Sequence, residues 1–117
     1  MTQLMQFSEL LTESYFAFIK KGGYMYKLKE YHDKRVMSLT YDSEGDAFSV
    51  GIIAKGEFSF GAMVDEAYRV TSGKISFWEE GNEKWKECGL GDEFTTHKGK
   101  DFKFKTDEVS SYICYYK

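Results

Sequence analysis

The chain alternates apolar and polar residues over short runs, and turns that contain glycine separate the runs. In the clearest run, Phe48, Val50, Ile52 and Ala54 fall on one face of an extended strand, and the residues between them fall on the other face. A lysine–glycine pair follows this run and indicates a turn. Apolar runs of about five residues between such turns predict a small antiparallel sandwich or barrel.

Further strands are predicted on both sides of this run. They cover residues 24–30, 36–41, 57–60, a run from 66 that is broken at 72–73, and then 74–79, 85–88, 93–96, 102–105 and 109–116. Lys27 and Lys29 share one face of the first of these strands, which is typical of an edge strand that avoids pairing with other chains. We therefore expect one β domain over residues 24–117.

The first twenty residues follow a different period. Apolar side chains recur there at spacings of three and four, at Leu4, Phe7, Leu11, Tyr15 and Phe18. This spacing predicts an amphipathic helix over Thr2–Lys21, and two glycines follow its basic last turn. We expect residues 1–23 to form a helical extension that packs on its own domain or on a second subunit and lies outside the site.

Composition and charge narrow the class of protein. The 117 residues suit one domain, and nine tyrosines and ten phenylalanines favour strands and a site that stacks flat ligands. A net charge of −3 argues against nucleic acid as the main partner. The chain has neither an apolar run long enough for a membrane span nor a signal peptide pattern, so we expect a cytoplasmic protein without a membrane partner.

Residue types that hold metals or phosphates are scarce. Cys88 and Cys114 are isolated and predict free, buried thiols in a reducing compartment. His32 and His97 are the only histidines and lie far apart in the sequence, so they cannot form a His-rich metal site. The chain has no GxxxxGK[ST], GxGxxG or HExxH motif. We expect no metal and no cofactor.

Four stretches carry a recognisable pattern in a fixed order: SVGIIAKGEFSFG, DEAYRVTSGKIS, KWKECGLGDEF and SYICYYK. The matching residues are Ser49, Val50, Gly51, Gly56, Glu57, Phe60, Ser72, Gly73, Trp85, Gly91, Phe94, Phe102, Ser111, Tyr112, Cys114 and Tyr116. With this pattern the chain resembles, from about Glu30 to Lys117, the pyrimidine/purine nucleoside phosphorylase family, a small bacterial group with a single-domain cupin fold. The chain departs from the family at residues 96–100, where an apolar-Pro-Gly turn is usual, and at Arg69, where a small polar residue is usual.

The resemblance implies phosphorolysis, in which a nucleoside and phosphate give a free base and ribose 1-phosphate. Such a reaction needs an acceptor for the ribose hydroxyls and cationic groups for phosphate. Glu57 and Arg69 are the candidate catalytic residues: Glu57 would hold the ribose or polarise the site, and Arg69 would bind an anion. The alternative for Glu57 is a solvated charge at the end of a strand, and the alternative for Arg69 is a structural ion pair. With Ser59 and Thr71, they are expected to line a polar barrel interior.

Two further groups are candidates for substrate binding. His97, Lys98 and Lys100 form a basic loop that would hold phosphate, unless it is only a solvated lysine loop. Trp78, Phe102 and Tyr112 would stack the base, with core packing as the alternative.

The interpretation as a whole is a cupin-type small β-barrel (a double-stranded β-helix or jelly roll) with an added N-terminal helix. We expect a homodimeric, metal-independent nucleoside phosphorylase of broad specificity, with inorganic phosphate as co-substrate. A non-catalytic cupin module that binds a small metabolite is the main alternative. A metal-dependent cupin oxygenase or isomerase is disfavoured by the two histidines.

Overall fold

The computed structural model of the protein describes residues 14–16, 26–43 and 46–116. All regular elements in these residues are β-strands. No helix that is long and apolar enough to cross a membrane occurs in them.

Eleven strands occur in the described residues. They are β1 (Ser14–Phe16), β2 (Tyr26–Tyr31), β3 (Val36–Ser43), β4 (Asp46–Ile53), β5 (Gly56–Gly61), β6 (Glu66–Ser72), β7 (Ile75–Glu79), β8 (Lys86–Cys88), β9 (Glu93–Thr96), β10 (Asp101–Thr106) and β11 (Ser110–Tyr116). Where the structure describes them, from residue 26 to residue 116, the predicted strands are confirmed, with end points that differ by a few residues at most. Alternation in short runs is a strong signal when one face of each strand is buried.

The strands form two antiparallel sheets. The seven-stranded sheet has the order β9-β6-β11-β4-β3-β2-β1, and the four-stranded sheet has the order β5-β10-β7-β8. The long hairpin β3–β4 lies near the centre of the larger sheet, and Val36 faces Ile53 across it.

The helix predicted over Thr2–Lys21 lies outside the described residues except at Ser14–Phe16. These three residues form β1, which pairs with β2 from Leu28 to Glu30, so the helix prediction is wrong there. The exposed edge of β2 offers backbone N–H and C=O groups, and pairing with them satisfies the backbone of β1. Since β2 has a partner on both sides, it is not the edge strand that the sequence predicted. The predicted domain boundary at residue 23 lies outside the described residues.

A cluster of aromatic rings fills the space between the two sheets. Phe77 of the small sheet stacks on Phe94 of the large one with ring centroids 4.3 Å apart, and Tyr68 stacks on the other side of Phe94 at 5.0 Å. Phe104 then meets Tyr68 edge to face at 5.3 Å. Each ring of this size removes much apolar surface from water, so the cluster is the main source of stability.

Side chains, rather than a continuous strand ladder, connect the sheets at their edges. On one side His32, in the turn after β2, lies with Nε2 3.0 Å from the Ser59 carbonyl of β5. On the other side Lys86 donates from Nζ to the Glu93 carbonyl at 2.8 Å, and His97 contacts Glu79. The prediction of a closed barrel is therefore corrected to a two-sheet sandwich over the described residues, because the edge strands do not pair across the gap.

Gly51 has no side chain, and this permits the ring of Tyr112 to pack closely against it. A Cβ added at Gly51 would overlap the ring of Tyr112, which is buried beneath it. We predict that Gly51→Ala lowers the free energy of unfolding by about 1–3 kcal/mol, because the ring has to move within a packed core. Chemical denaturation measures this change.

Gly89→Ala is the matched control, since only Asp92 Oδ2 lies near its added Cβ, at 4.0 Å. Equal stability of the two variants would contradict the packing argument.

Candidate active site

A cavity of about 450 Å³ lies between the sheets. Strands of both sheets contribute its walls, which consist mainly of aromatic rings with a few polar side chains between them. The lining residues are Lys29, Tyr31, Ser38, Thr40, Ala47, Ser49, Phe60, Gly61, Met63, Val64, Glu66, Tyr68, Phe102, Phe104, Tyr112 and Tyr116. This volume is within the usual range for small-molecule sites, about 300–1,000 Å³.

Glu66 brings a carboxylate into this aromatic wall. Its Oε1 accepts a hydrogen bond from the Tyr68 hydroxyl at 2.8 Å and a second from the Thr96 hydroxyl at 3.2 Å. Burial raises the pKa of the Glu66 carboxyl, and the bonds from Tyr68 and Thr96 and the charge of Lys29 only partly oppose this. Both of these hydrogen bonds go to Oε1.

Hydroxyl groups line the same wall as Glu66, on neighbouring strands of the large sheet, and Tyr116 is the cross-strand partner of Glu66. Tyr116 donates to Ser49 Oγ at 3.0 Å, and burial raises the pKa of Tyr116 far above its ordinary value. The buried Thr40 hydroxyl makes no hydrogen bond of ordinary geometry in the described part of the chain, although it lies near Tyr116. A buried hydroxyl without a partner is costly, and a bound polar molecule would satisfy it.

The loop between β5 and β6, residues 62–65, forms part of the cavity rim. Met63 is 73% exposed and still lines the cavity. The 97–100 loop supports this rim through three bonds: Ala62 N–H to the Lys100 carbonyl, Gly99 N–H to the Ala62 carbonyl, and Lys98 N–H to Asp65 Oδ1.

The side chains that were expected to line the interior lie outside it. Glu57, Ser59, Arg69 and Thr71 are all exposed on the outer faces of β5 and β6. The predicted alternation along β5 and β6 is confirmed, but the prediction that its polar face points inward is wrong. The alternate residues of these strands, Phe58, Phe60, Tyr68 and Val70, are the buried ones, because large apolar groups gain most from leaving water.

The exposed pair Glu57 and Arg69 makes surface contacts. Arg69 forms an ion pair with Glu93 of the neighbouring strand and not with Glu57. The hydrogen bonds and the charge of Glu93 raise the pKa of the Arg69 guanidinium. Glu57 Oε2 lies 3.9 Å from Lys103 Nζ. Neither side chain reaches the cavity.

The three aromatic candidates divide between the two faces. Phe102 and Tyr112 line the cavity, as base stacking requires. Trp78 lies on the outer face of the small sheet, where Lys103 Nζ is 5.2 Å from its ring centroid and its Nε1 donates to the Asn82 carbonyl at 2.9 Å. Trp78 is therefore neither a cavity residue nor a core residue.

The basic loop lies beside the rim and not in the cavity. Lys98 and Lys100 are exposed. His97 is held by the buried Glu79 carboxylate, which accepts from the His97 backbone N–H at 2.7 Å and lies 2.9 Å from its Nδ1. The phosphate role of this loop stays a prediction.

The cavity residues that sequence reasoning missed have a recognisable signal. Glu66 begins the run in which Tyr68 and Val70 are the buried positions, so strict alternation places its carboxylate on the same inner face. Tyr31, Phe60 and Tyr68 likewise fall on inner positions. Many tyrosines and phenylalanines fall on such inner positions. Alternation alone therefore does not predict which of them line a cavity.

Cys88 and Cys114 are free and buried, as predicted. Burial raises the pKa of both thiols, so neither is suited to act as a nucleophile. Within residues 26–43 and 46–116, no group of three or more His, Cys, Asp or Glu side chains is placed to hold a metal.

The two-sheet arrangement around an internal cavity is that of a cupin-like all-β protein. A cupin-2 domain protein from Shewanella frigidimarina superposes with a TM-score of 0.54 at 17% identity over 63% of this chain and 72% of that one. A Vibrio parahaemolyticus protein of unknown function superposes more closely, with a TM-score of 0.76 at 26% identity over 79% of this chain and 98% of its own.

Sequence comparison identifies the family. The model of the family described as pyrimidine/purine nucleoside phosphorylase matches residues 26–116. A Pseudomonas aeruginosa protein named pyrimidine/purine nucleoside phosphorylase is 30% identical over 93 residues, which are 80% of this chain and 100% of that protein. The chain belongs to this family, and the resemblance found in the sequence is confirmed.

The raised pKa of Glu66 predicts a specific pH dependence of stability. The folded state binds the Glu66 proton more tightly than the unfolded chain does. The stability that this proton provides is therefore complete below the ordinary pKa of 4.5 and is lost as the pH rises through the raised value. Glu66→Gln should keep the bonds from Tyr68 and Thr96 and remove this dependence.

Unfolding free energies of the wild type and Glu66→Gln, measured at a series of pH values that starts below the ordinary pKa of 4.5, test this. The wild type should lose stability relative to the variant as the pH rises through the raised pKa of Glu66. Parallel profiles would show that the carboxyl is not desolvated.

Proposed function

We propose that the protein is a broad-specificity nucleoside phosphorylase whose active site is the cavity between the sheets. The observation that carries this proposal is a desolvated carboxylate in a cavity rich in aromatic rings, in a chain that belongs to the pyrimidine/purine nucleoside phosphorylase family. Inorganic phosphate is the co-substrate, and neither metal nor cofactor takes part. Two free, buried thiols fit a reducing cytoplasm.

The aromatic walls suit the base. Phe60 and Phe102 are stacked at 5.4 Å, and the rings of Tyr68, Phe104 and Tyr112 surround them. Ring faces bind purines and pyrimidines alike because they do not read the hydrogen-bonding edge of the base. Broad specificity follows from this kind of wall.

The sugar meets the polar side of the cavity. Glu66 Oε2 accepts hydrogen bonds from the ribose hydroxyls, while Tyr68 and Thr96 fix the carboxylate through Oε1. These bonds strengthen as positive charge develops on the ribose in the oxocarbenium-like transition state. The hydroxyls of Thr40 and Ser49, on β3 and β4 of the same sheet, supply further contacts.

Phosphate attacks the anomeric carbon as the bond to the base breaks, and the base leaves with the electron pair and takes up a proton. Lys29 supplies a cationic side chain at the cavity wall for the phosphate. Its positive charge also acts on Glu66. The exposed lysines of the 97–100 loop add positive potential near the rim.

The first prediction concerns the reaction. The purified full chain should release free base from uridine and from guanosine only when phosphate is present, and EDTA should not change the rate. Chromatographic detection of the base measures this. Equal release without phosphate would indicate a hydrolase, and no release from any common nucleoside would favour a binding module.

The second prediction separates the inner carboxylate from the outer one. Glu66→Gln should lower kcat/KM by at least about tenfold, a loss of about 1.4 kcal/mol of transition-state stabilisation. Glu57→Gln is the matched control, because Glu57 faces outward beside Lys103, and it should stay within about twofold of the wild type.

Melting curves of both variants show whether each is folded. A large loss of activity in folded Glu57→Gln, with full activity in Glu66→Gln, would move the site to the outer face and contradict the assignment of the cavity.

A further inference from the structure

A second carboxylate, Glu79, is buried outside the cavity and has no part in the proposed reaction. It is the last residue of β7 in the small sheet, and its side chain is 8% exposed. Both of its oxygens contact His97, which follows β9 of the large sheet: Oε2 accepts the backbone N–H at 2.7 Å, and Oε1 lies 2.9 Å from Nδ1. Glu79 therefore holds both the backbone and the ring of one residue.

The N–H that Glu79 holds belongs to the peptide group between Thr96 and His97. Because a peptide group is planar, a fixed N–H direction also fixes the backbone of Thr96 ahead of it. Thr96 ends β9, which has only β6 beside it in the described part of the chain. Thr96 is fully buried and its branched side chain has few rotamers, so the direction of its hydroxyl follows the backbone.

The Thr96 hydroxyl donates in turn to Oε1 of Glu66 at 3.2 Å, and the two residues are direct partners in the register of β6 and β9. This distance is long for a hydrogen bond between two oxygens, so a small displacement of Thr96 breaks the bond. The short segment Thr96–His97 thus connects two carboxylates, Glu79 of the small sheet and Glu66 of the large sheet.

We propose that Glu79 is a positioning residue for the reaction in the cavity: through His97 it holds Thr96 where the Thr96 hydroxyl orients Glu66. The inference rests on the proposed function, in which Glu66 binds the ribose. A group that meets a transition state has to be held in place, because a misplacement of about 1 Å removes a large part of the rate.

The other possible role of Glu79 is purely structural. Glu79 is the cross-strand partner of Phe102 in β10, and its contact with His97 joins the two sheets at this edge. In that case its loss would lower the stability of the fold without a selective change at Glu66. The test therefore needs a measurement at Glu66 itself.

Carbon-13 NMR of the Glu66 carboxyl group makes this measurement on the full chain, without substrate. The hydrogen bond from Thr96 lowers the pKa of Glu66 against the larger effect of burial. Glu79→Ala should therefore raise the titration midpoint of Glu66, and Thr96→Val should raise it as well. Loss of the Glu79 charge alone would lower the midpoint, so a rise is specific to the lost hydrogen bond.

Two variants serve as controls for the titration. Glu83→Ala removes an exposed carboxylate from the turn after β7 and should leave the midpoint of Glu66 unchanged. Glu79→Gln keeps an acceptor oxygen for the His97 N–H and should not raise the midpoint.

Kinetics test the consequence for the reaction. Glu79→Ala should lower kcat for phosphorolysis by about tenfold, the size expected for one hydrogen bond to a charged group, with a smaller change in KM. In a Thr96→Val background the same substitution should cost less than about twofold, because the bond through which it acts is already absent. Glu79→Gln should recover most of kcat.

Melting curves show which variants are folded. If Glu79→Ala does not fold, Glu79→Met serves in its place, since methionine fills the same space without an oxygen acceptor. A folded variant of this kind with an unchanged or lower midpoint of Glu66 would overturn the inference and leave Glu79 as a contact between the sheets. Additive losses of kcat from Glu79→Ala and Thr96→Val would also overturn it.

The two failures are distinguishable. A wild type that releases no base from any nucleoside would contradict the proposed function. The titration of Glu66 would still decide whether Glu79 sets the geometry of that carboxylate, because it needs no substrate.

Discussion

The burial of aromatic rings between two sheets that do not pair with each other is the constraint on which the rest of the structure depends. Phe77 and Phe104 of the small sheet contact Phe94 and Tyr68 of the large sheet in a continuous series of rings. Because no ladder closes the edges in the described part of the chain, this packing and the side-chain contacts of His32, Lys86 and His97 keep the sheets together. Flat, rigid rings fill such a space incompletely, and the cavity is what they leave.

A cavity of this origin sets the chemistry of the site. Aromatic walls lower the local dielectric, so one carboxylate in the wall, Glu66, has a raised pKa and interacts strongly with any polar group that enters. Tyr68 contributes to the core and to the site, since its ring packs in the core and its hydroxyl donates a hydrogen bond to Glu66. Stability and binding are therefore coupled in the same side chains.

The sequence predicted the strands well because alternation is a local property, and each strand of the sandwich has one buried face. It failed to predict which face is inside. The choice of Glu57 and Arg69 assumed a polar interior, whereas burial of the intervening Phe58, Phe60 and Tyr68 places both charges in solvent. The cavity could not be predicted from the sequence either, because its position depends on which rings from distant strands come into contact. The pairing of β1 with β2 could not be predicted from a stripe of apolar residues that suits a helix equally well.

The central claim is that the substrate binds between the sheets, with its sugar at Glu66. A crystal structure of the protein grown with uridine and phosphate tests it most directly. The base should lie against Phe60 and Phe102, with a ribose hydroxyl within hydrogen-bond distance, about 2.6–3.0 Å, of Glu66 Oε2. Uridine bound on the outer face beside Glu57 and Lys103, with the cavity holding only water, would contradict the account.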